Sequence, residues 1–372
     1  NNAYNNANNN LNNNLIKPTH MSPSSSSTTT YLSPTSLSST SSSPSSSSTP
    51  PSSTPYRQSS FSKIVERQML DNFASKGDIT RVVESWRNVD KGIELDRAYM
   101  GSPTESPYLR QRARSFLHNL TTTAWWDPSD PSNNMEWAKK LEDRYEDIRE
   151  EFLRVTSKPQ ELDNVGNNVW SSAADSSSAQ SYGPDWKTLV LMDRTTWDPT
   201  NAALFPSTTL AILESEVPCV EAFFAQMPGN TKINPHTDSC NFILTSHLAL
   251  IVPENGKGKC RLQVGPETRE WLEGKTTVFD TSIYHDACND SSSTRYILML
   301  RVWHPGLTTV EREALQFTFD CLDVPGLVSE DPAVRWMAER QVEGMRSPPV
   351  GLMNEHRGGA GDVGIVASQE LT

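Results

Sequence analysis

The sequence is first informative through what it lacks. No apolar run approaches the roughly 18 residues that a membrane-spanning helix requires, so we expect no such helix in the given chain. Basic residues number 33 against 45 acidic ones and form no stripe, which disfavours binding to nucleic acid. The five cysteines include no Cys-x-x-Cys pair, which disfavours a zinc or dithiol redox motif.

The chain begins with Asn rather than Met, so a missing upstream signal or anchor stays open. We predict a soluble protein without assigning a compartment.

Apolar residues are also scarce at the start of the chain. Residues 1–60 consist almost entirely of Asn, Ser, Thr and Pro. Such a segment buries too little apolar surface to offset the entropic cost of ordering the backbone, about 1–2 kcal/mol per residue. We therefore predict a disordered tail over residues 1–60. The rest of the chain is long enough to bury a core.

Apolar residues at helical spacing mark the next part of the chain. Residues 61–118 are predicted to form a helical region without an assigned function, and a second helical stretch within it covers 107–118. The clearest helical pattern covers residues 137–155, where apolar residues recur every three or four positions and make one continuous stripe. Residues 156–184 are rich in Ser, Asp and Gly and indicate a long loop. Residues 326–372 are predicted to hold a C-terminal helix and a loose tail.

From Trp186 onward, short apolar and β-branched runs alternate with turn residues. The predicted strands cover residues 188–192, 220–227, 242–252, 261–264, 276–279, 282–288 and 296–303. Their number and spacing are typical of an antiparallel sandwich or barrel. We predict a mainly β domain with flanking helices over residues 119–325.

Three residues of this domain have the types and spacing of a metal site. His236 and Asp238 are two apart, so on a strand their side chains point to the same side. His285 lies on a later predicted strand. Two histidines and one carboxylate on one face of a metal leave three adjacent positions open, as in non-haem Fe(II) oxygenases. Such positions can accept a 2-oxo acid and dioxygen.

Arg295 follows His285 after a Ser-rich turn signal at residues 289–293. A hairpin there would return Arg295 to the neighbourhood of His285, where a guanidinium can hold a carboxylate through two hydrogen bonds. The residues alone leave another interpretation open. In that interpretation His236 caps a turn, Asp238 bonds to the local backbone and His285 is an ordinary core residue.

Longer runs around these residues resemble the aspartyl/asparaginyl β-hydroxylase family. Residues 235–238 (PHTD) and 247–253 (HLALIVP) are similar to its PHTxxxN and HLGLVVP motifs. Residues 267–280 carry ETREWLEGK and VFD, similar to ETRxWxEGKxxxFDD. Residues 295–308 begin with Arg and end in VWHPGLT, similar to R…DxWHPxLT. The likeness covers roughly residues 125–315.

This resemblance implies a double-stranded β-helix, or jelly roll, and an Fe(II)- and 2-oxoglutarate-dependent dioxygenase. It makes His236 and His285 iron ligands, with Asp238 as a third, and makes Arg295 the partner of the distal 2-oxoglutarate carboxylate. The remaining residues expected beside the co-substrate are Ala225, Met227, Thr245 and His247. The implied substrate is the β-carbon of Asp or Asn in a protein, hydroxylated with dioxygen.

The chain departs from the family pattern at three places. Asp238 stands where animal members have Gly. Residues 243–247 (ILTSH) replace Arg-Leu-Arg-x-His, which removes two cations that face co-substrate and acidic substrate. Ala225 replaces a Ser that helps to bind 2-oxoglutarate. These changes leave open a lipid or small-molecule substrate, and a non-catalytic jelly-roll binding module with a vestigial site. A zinc hydrolase with the same ligands is a weaker alternative, because no general base is apparent.

Overall fold

The computed structural model describes residues 58–100, 106–157, 171–172, 186–253 and 258–347. The predictions of a tail over most of residues 1–60, of a loop over most of 156–184 and of a loose end after 347 lie outside these ranges. Within them, no helix has both the length and the apolar character needed to cross a membrane.

Helices flank a β core at both ends of the described chain. The helices are α1 Ser60–Phe73, α2 Thr80–Asp90, α3 Glu136–Glu142, α4 Tyr145–Thr156, α5 Pro199–Leu204, α6 Pro206–Glu214, α7 Thr309–Asp323 and α8 Pro332–Arg346. The strands are β1 Leu95–Ala98, β2 Arg110–Ala113, β3 Trp125–Trp126, β4 Ser171–Ser172, β5 Lys187–Asp193, β6 Thr196–Trp197, β7 Cys219–Met227, β8 Thr231–His236, β9 Ile243–Ile251, β10 Cys260–Val264, β11 Glu267–Glu270, β12 Thr276–Phe279, β13 His285–Asn289 and β14 Arg295–Trp303.

Strands β3 to β14 form two facing antiparallel sheets, with β6 paired to β5 at the side of the larger one. The larger has the order β3-β12-β9-β14-β7-β5-β4, and the smaller has the order β11-β10-β13-β8. The chain passes from one sheet to the other after β7, β8, β9, β11, β12 and β13, so the two sheets wind together. This is the topology of a double-stranded β-helix, and the predicted mainly β fold with flanking helices is confirmed.

The central strand β9 shows why the barrel interior can hold polar groups. Eight of its nine residues are buried, because helices cover one face and the smaller sheet covers the other. Leu244, Leu248 and Leu250 face outward into an apolar layer under the helices. The alternate residues, Thr245 and His247 among them, face the interior. Two buried polar side chains on an inward face indicate a site rather than a simple core.

The apolar stripe over residues 137–155 forms two helices instead of the single helix that was predicted. The break falls at Asp143 and Arg144, between α3 and α4. Glu142 at the end of α3 accepts hydrogen bonds from Thr276 N and Lys275 Nζ, both at 2.8 Å. This tie to β12 directs α3 toward the sheet edge, whereas α4 packs against α6 and β9. A tertiary contact therefore overrides the helical period.

Residues 107–118 are not helical, and the prediction for them is wrong. A single 3-10 turn over Pro107–Leu109 leads into β2, which pairs with β1 in a hairpin. Its backbone also pairs outward, because Arg112 N donates to Ser282 O at 2.8 Å and Arg114 N to Ser239 O at 2.9 Å. The hairpin is thus attached to the loops beside the ends of β8 and β13.

Glu151 of α4 provides a test of how the helical layer is held. Its buried carboxylate accepts hydrogen bonds from Ser207 N, Thr208 N and Thr208 Oγ1, all at 2.8 Å, at the start of α6. We expect Glu151→Ala to lower the free energy of unfolding by about 2–4 kcal/mol, because donors at a helix N-terminus lose a charged partner. Urea unfolding followed by circular dichroism measures this. The exposed neighbour Glu150 is the control, with an expected effect of Glu150→Ala under about 0.5 kcal/mol. Equal effects of the two substitutions would contradict the role of Glu151.

Candidate metal and co-substrate site

Two histidines face each other across the smaller sheet. His236 ends β8 and His285 begins β13, and antiparallel pairing sets the two residues directly opposite. Asp238 follows, with its backbone N–H bonded to Thr281 O at 2.8 Å. One ligand atom from each of these three side chains lies within 4.8 Å of the others. The structure therefore brings the three residues together as the spacing suggested. Metal binding by them remains a prediction.

Backbone carbonyls orient both imidazole rings. Nδ1 of His236 lies 2.8 Å from Asn234 O, and Nδ1 of His285 lies 3.0 Å from Ile283 O. A ring nitrogen facing a carbonyl carries the proton, so Nε2 of each ring keeps its lone pair. Burial, together with the neighbouring His236, lowers the pKa of His285 to about 3. His285 is thus in the neutral form that metals bind.

Asp238 is held by a residue that the sequence analysis did not identify. Its Oδ2 accepts a hydrogen bond from Arg301 Nη1, so the carboxylate bonds to a side chain rather than to the local backbone. Burial opposes ionisation, but the charge of Arg301 prevails and holds the pKa of the Asp238 carboxyl below its ordinary value. The group is therefore an anion, as a metal ligand must be.

Arg295 is a buried cation without an anion. It is 2% exposed, and its Nε and Nη1 atoms have no hydrogen-bond partner among the described residues. Its guanidinium lies 4.0 Å from the ring centroid of Trp271. Burial lowers the pKa of Arg295 to about 10, which leaves it charged at neutral pH. An unpaired buried charge is costly, so this arrangement favours binding of an anionic group from outside the chain.

His247 offers a hydrogen-bond donor, its Nε2–H group, beside Arg295. Its Nδ1 accepts a hydrogen bond from Trp271 Nε1 at 3.1 Å, so the proton of the neutral ring lies on Nε2. Burial, and then the charge of Arg295, lowers the pKa of His247 well below its ordinary value. Its Nε2 has no partner among the described residues, and neither has the hydroxyl of Thr245. Both are placed to bond with a polar ligand.

These groups line one small cavity inside the barrel, with a volume of about 40 Å³. Its polar lining includes His236, Asp238, Thr245, His247, His285 and Arg295. Its apolar lining includes Trp186, Ile233, Leu262, Trp271, Phe279, Ala287, Ile297 and Met299. Ala225 and Met227, expected beside the co-substrate, pack in the neighbouring apolar layer and are not among the lining residues. Their role stays a prediction.

The sequence analysis did not identify two further residues of the site, Trp271 and Arg301. Their roles depend on contacts with residues that are distant in the sequence. Trp271 lies within the ETREW run, which was noted only as part of a resemblance. Arg301 occupies the Asp position of the DxWHPxLT motif, and its cross-strand partner on β9 is Thr245. Thr245 is where the family pattern has its second Arg. A cation is therefore present at this cross-strand pair after all, on β14 instead of β9.

The fold is a jelly roll that holds a cluster of two histidines and one carboxylate. The sequence model described as "Aspartyl/Asparaginyl beta-hydroxylase" matches residues 142–305. This part of the chain is therefore similar to the aspartyl/asparaginyl β-hydroxylase family.

Similar proteins differ in what their names say they act on. Human aspartyl/asparaginyl beta-hydroxylase is 30% identical over 217 residues, which cover 55% of this chain and 26% of the human protein. Human aspartate beta-hydroxylase domain-containing protein 2 is 28% identical, over 62% of this chain and 60% of its own. The ornithine lipid ester-linked acyl 2-hydroxylase of Rhizobium tropici is 28% identical, over 44% of this chain and 56% of its own. The chain thus spans less than two thirds of each relative.

The cluster yields a prediction about metal binding that does not depend on activity. We expect one Mn(II) per chain by isothermal titration calorimetry, with Mn(II) standing in for oxygen-sensitive Fe(II). His236→Ala or His285→Ala should weaken binding more than about 100-fold, beyond the range seen when only a residue behind a ligand is lost. The control is His118→Ala, since the side chain of His118 is half exposed and outside the cavity. Unchanged affinity in both cluster variants would rule out these ligands.

Proposed function

We propose that the chain is an Fe(II)- and 2-oxoglutarate-dependent dioxygenase that hydroxylates a C–H bond. One observation carries the proposal: buried Arg295, whose Nε and Nη1 have no hydrogen-bond partner among the described residues, lines the same cavity as His236, Asp238 and His285. A metal-ligand cluster alone suits several chemistries. A metal-ligand cluster with a separate carboxylate receptor in one cavity suits a 2-oxo diacid that spans both.

The three ligand side chains fit the metal by chemistry and by position. Nε2 of His236, Nε2 of His285 and an Asp238 oxygen would hold Fe(II) from one side and leave adjacent positions open for ligands. When bound, Fe(II) supplies the chemistry that couples decarboxylation of 2-oxoglutarate to succinate and CO₂ with transfer of one oxygen atom of dioxygen to the substrate carbon. The chain itself orients the reactants and keeps water out.

The co-substrate would be oriented from two sides of the cavity. Arg295 would pair with its distal carboxylate, and Trp271 would keep the guanidinium in place by stacking. The Nε2–H of His247 and the hydroxyl of Thr245 would donate to oxygens closer to the metal. Ala225 offers no hydroxyl, so this chain would rely on the other donors.

By family resemblance, the substrate would be the β-carbon of Asp or Asn in a protein. An apolar substrate, such as a lipid acyl chain, is the second candidate, and two observations favour it. The cation nearest the metal ligands, Arg301, already pairs with Asp238 and Glu221, and much of the cavity wall is apolar. The Rhizobium relative is named as an acyl 2-hydroxylase. A non-catalytic binding module remains the alternative to both, and it predicts no turnover.

The direct test is succinate release from 2-oxoglutarate by iron-loaded protein. We expect slow release without substrate, faster release with the correct substrate, and none in His285→Ala. Peptides with Asp or Asn and an acyl lipid are then compared, with mass spectrometry to detect gain of one oxygen atom. Absence of succinate in every case, from a sample shown to hold iron, would leave the binding-module alternative.

Substitution of Arg295 should change stability and ligand binding in opposite directions. Arg295→Met removes an unpaired buried charge, so we expect the ligand-free variant to be more stable than the parent by about 1–3 kcal/mol. The same variant should lose the further rise in melting temperature that 2-oxoglutarate gives the Mn(II)-loaded parent. Arg261→Met is the control, because Arg261 lies outside the cavity and is partly exposed. If Arg295→Met kept the ligand-induced rise, Arg295 would not be the carboxylate receptor.

A further inference from the structure

Arg301 lies on an inward row of β14 that carries a cation at each end. Arg295, Ile297, Met299 and Arg301 alternate with outward residues along the strand. The two arginines are six residues apart, about 20 Å along a strand. Arg295 has no ion pair with any described residue, whereas Arg301 has two, with Asp238 and Glu221. The two cations therefore have different tasks, and Arg301 is not a second receptor for the co-substrate.

The guanidinium of Arg301 joins carboxylates from two other parts of the barrel. Nη1 donates to Asp238 Oδ2, and Nε lies 3.7 Å from Glu221 Oε2 on β7. The side chains of Arg301 and Glu221 are 8% and 5% exposed, and that of Asp238 is 14% exposed. Glu221 is also the cross-strand neighbour of Arg301. Glu221 thus lies beside the guanidinium on the sheet at ion-pair distance, while Nη1 hydrogen-bonds to Asp238 in the metal-ligand cluster.

Asp238 needs such a partner because its own segment provides little support. It follows the end of β8 and is outside any strand, and its backbone is tied through Asp238 N to Thr281 O. That bond positions the main chain but leaves the carboxylate plane free to turn, since this torsion is broad in Asp. The bond from Arg301 to Oδ2 fixes the plane and leaves Oδ1 for another ligand.

We propose that Arg301 is a positioning residue that orients Asp238 toward the metal before the metal binds. The inference rests on the proposed function only in taking His236, Asp238 and His285 as metal ligands. It adds that the third ligand of this chain depends on a cation, with Glu221 as the anchor and counter-charge of that cation.

Arg301 could affect metal binding through its charge or through the position it gives Asp238. These two roles predict opposite changes in metal affinity when Arg301 is replaced. A guanidinium beside a divalent cation repels it, so removing the charge alone would strengthen metal binding. Loss of an oriented ligand would weaken it, and loss of a partner behind a ligand typically costs 10- to 100-fold in affinity. The direction of the change therefore separates the two roles.

The experiment measures Mn(II) affinity by titration calorimetry in the full chain. We expect Arg301→Gln and Arg301→Lys each to weaken binding about 10- to 100-fold, since neither side chain reaches both carboxylates as a fork. Arg81→Gln is the matched control. Arg81 also forms an ion pair with a buried carboxylate, Glu311, but between α2 and α7 and outside the cavity. It should cost stability and leave Mn(II) affinity unchanged.

A double substitution shows whether Arg301 acts through Asp238. In an Asp238→Asn background, Arg301→Gln should cause no further loss of Mn(II) affinity, because the oriented ligand is already gone. This pair also removes both charges of the ion pair together, so it stays informative if Arg301→Gln alone does not fold. Equal or tighter binding in the folded single variants, or full additivity in the double one, would overturn the inference. Metal binding without turnover in the parent would overturn only the proposed function.

Discussion

The pairing of β8 with β13 is the interaction on which the site depends. It places His236 opposite His285 although they are about fifty residues apart in sequence, and it does so through backbone hydrogen bonds alone. A shift of the register by one residue would turn one imidazole to the other face of the sheet. The carbonyls of Asn234 and Ile283 then set the ring orientations. The same strand geometry thus determines both where the rings lie and which nitrogen is available.

The two inward arginines of β14 differ in their electrostatic surroundings. Arg301 lies beside two carboxylates of the chain, those of Asp238 and Glu221. Arg295 is surrounded by an aromatic ring and apolar side chains, and its Nε and Nη1 have no hydrogen-bond partner among the described residues. Burial of that unpaired charge lowers the stability of the folded protein. A carboxylate bound to Arg295 would restore the lost stability. The inward row of β14 therefore affects two different properties. Arg301 contributes to the stability of the empty site, and Arg295 to its affinity for a ligand.

The strand period predicted an antiparallel sandwich or barrel, and the family resemblance implied the jelly roll. Residue types and local spacing singled out His236, Asp238, His285 and Arg295. The hairpin predicted before Arg295 is not formed, because β13 and β14 belong to different sheets. Other features depend on distant contacts. The break between α3 and α4 follows from Glu142 bonding to Thr276, 134 positions away. The strand at residues 110–113 was taken for helix because Arg and polar residues alone show no clear period. The role of Arg301 is visible only once Asp238 and Glu221 lie beside it.

The β1–β2 hairpin has a consequence for where this domain begins. The family match starts at residue 142, yet the hairpin and the residue that follows it donate backbone N–H groups to the carbonyls of Ser239 and Ser282, close to Asp238 and His285. A fragment trimmed to the matched residues would leave those two loops without these donors. The folding unit that shapes the cavity therefore extends beyond the residues that the family model matches. In this chain, the geometry of the shared site is set in part by residues that lie outside the matched family region.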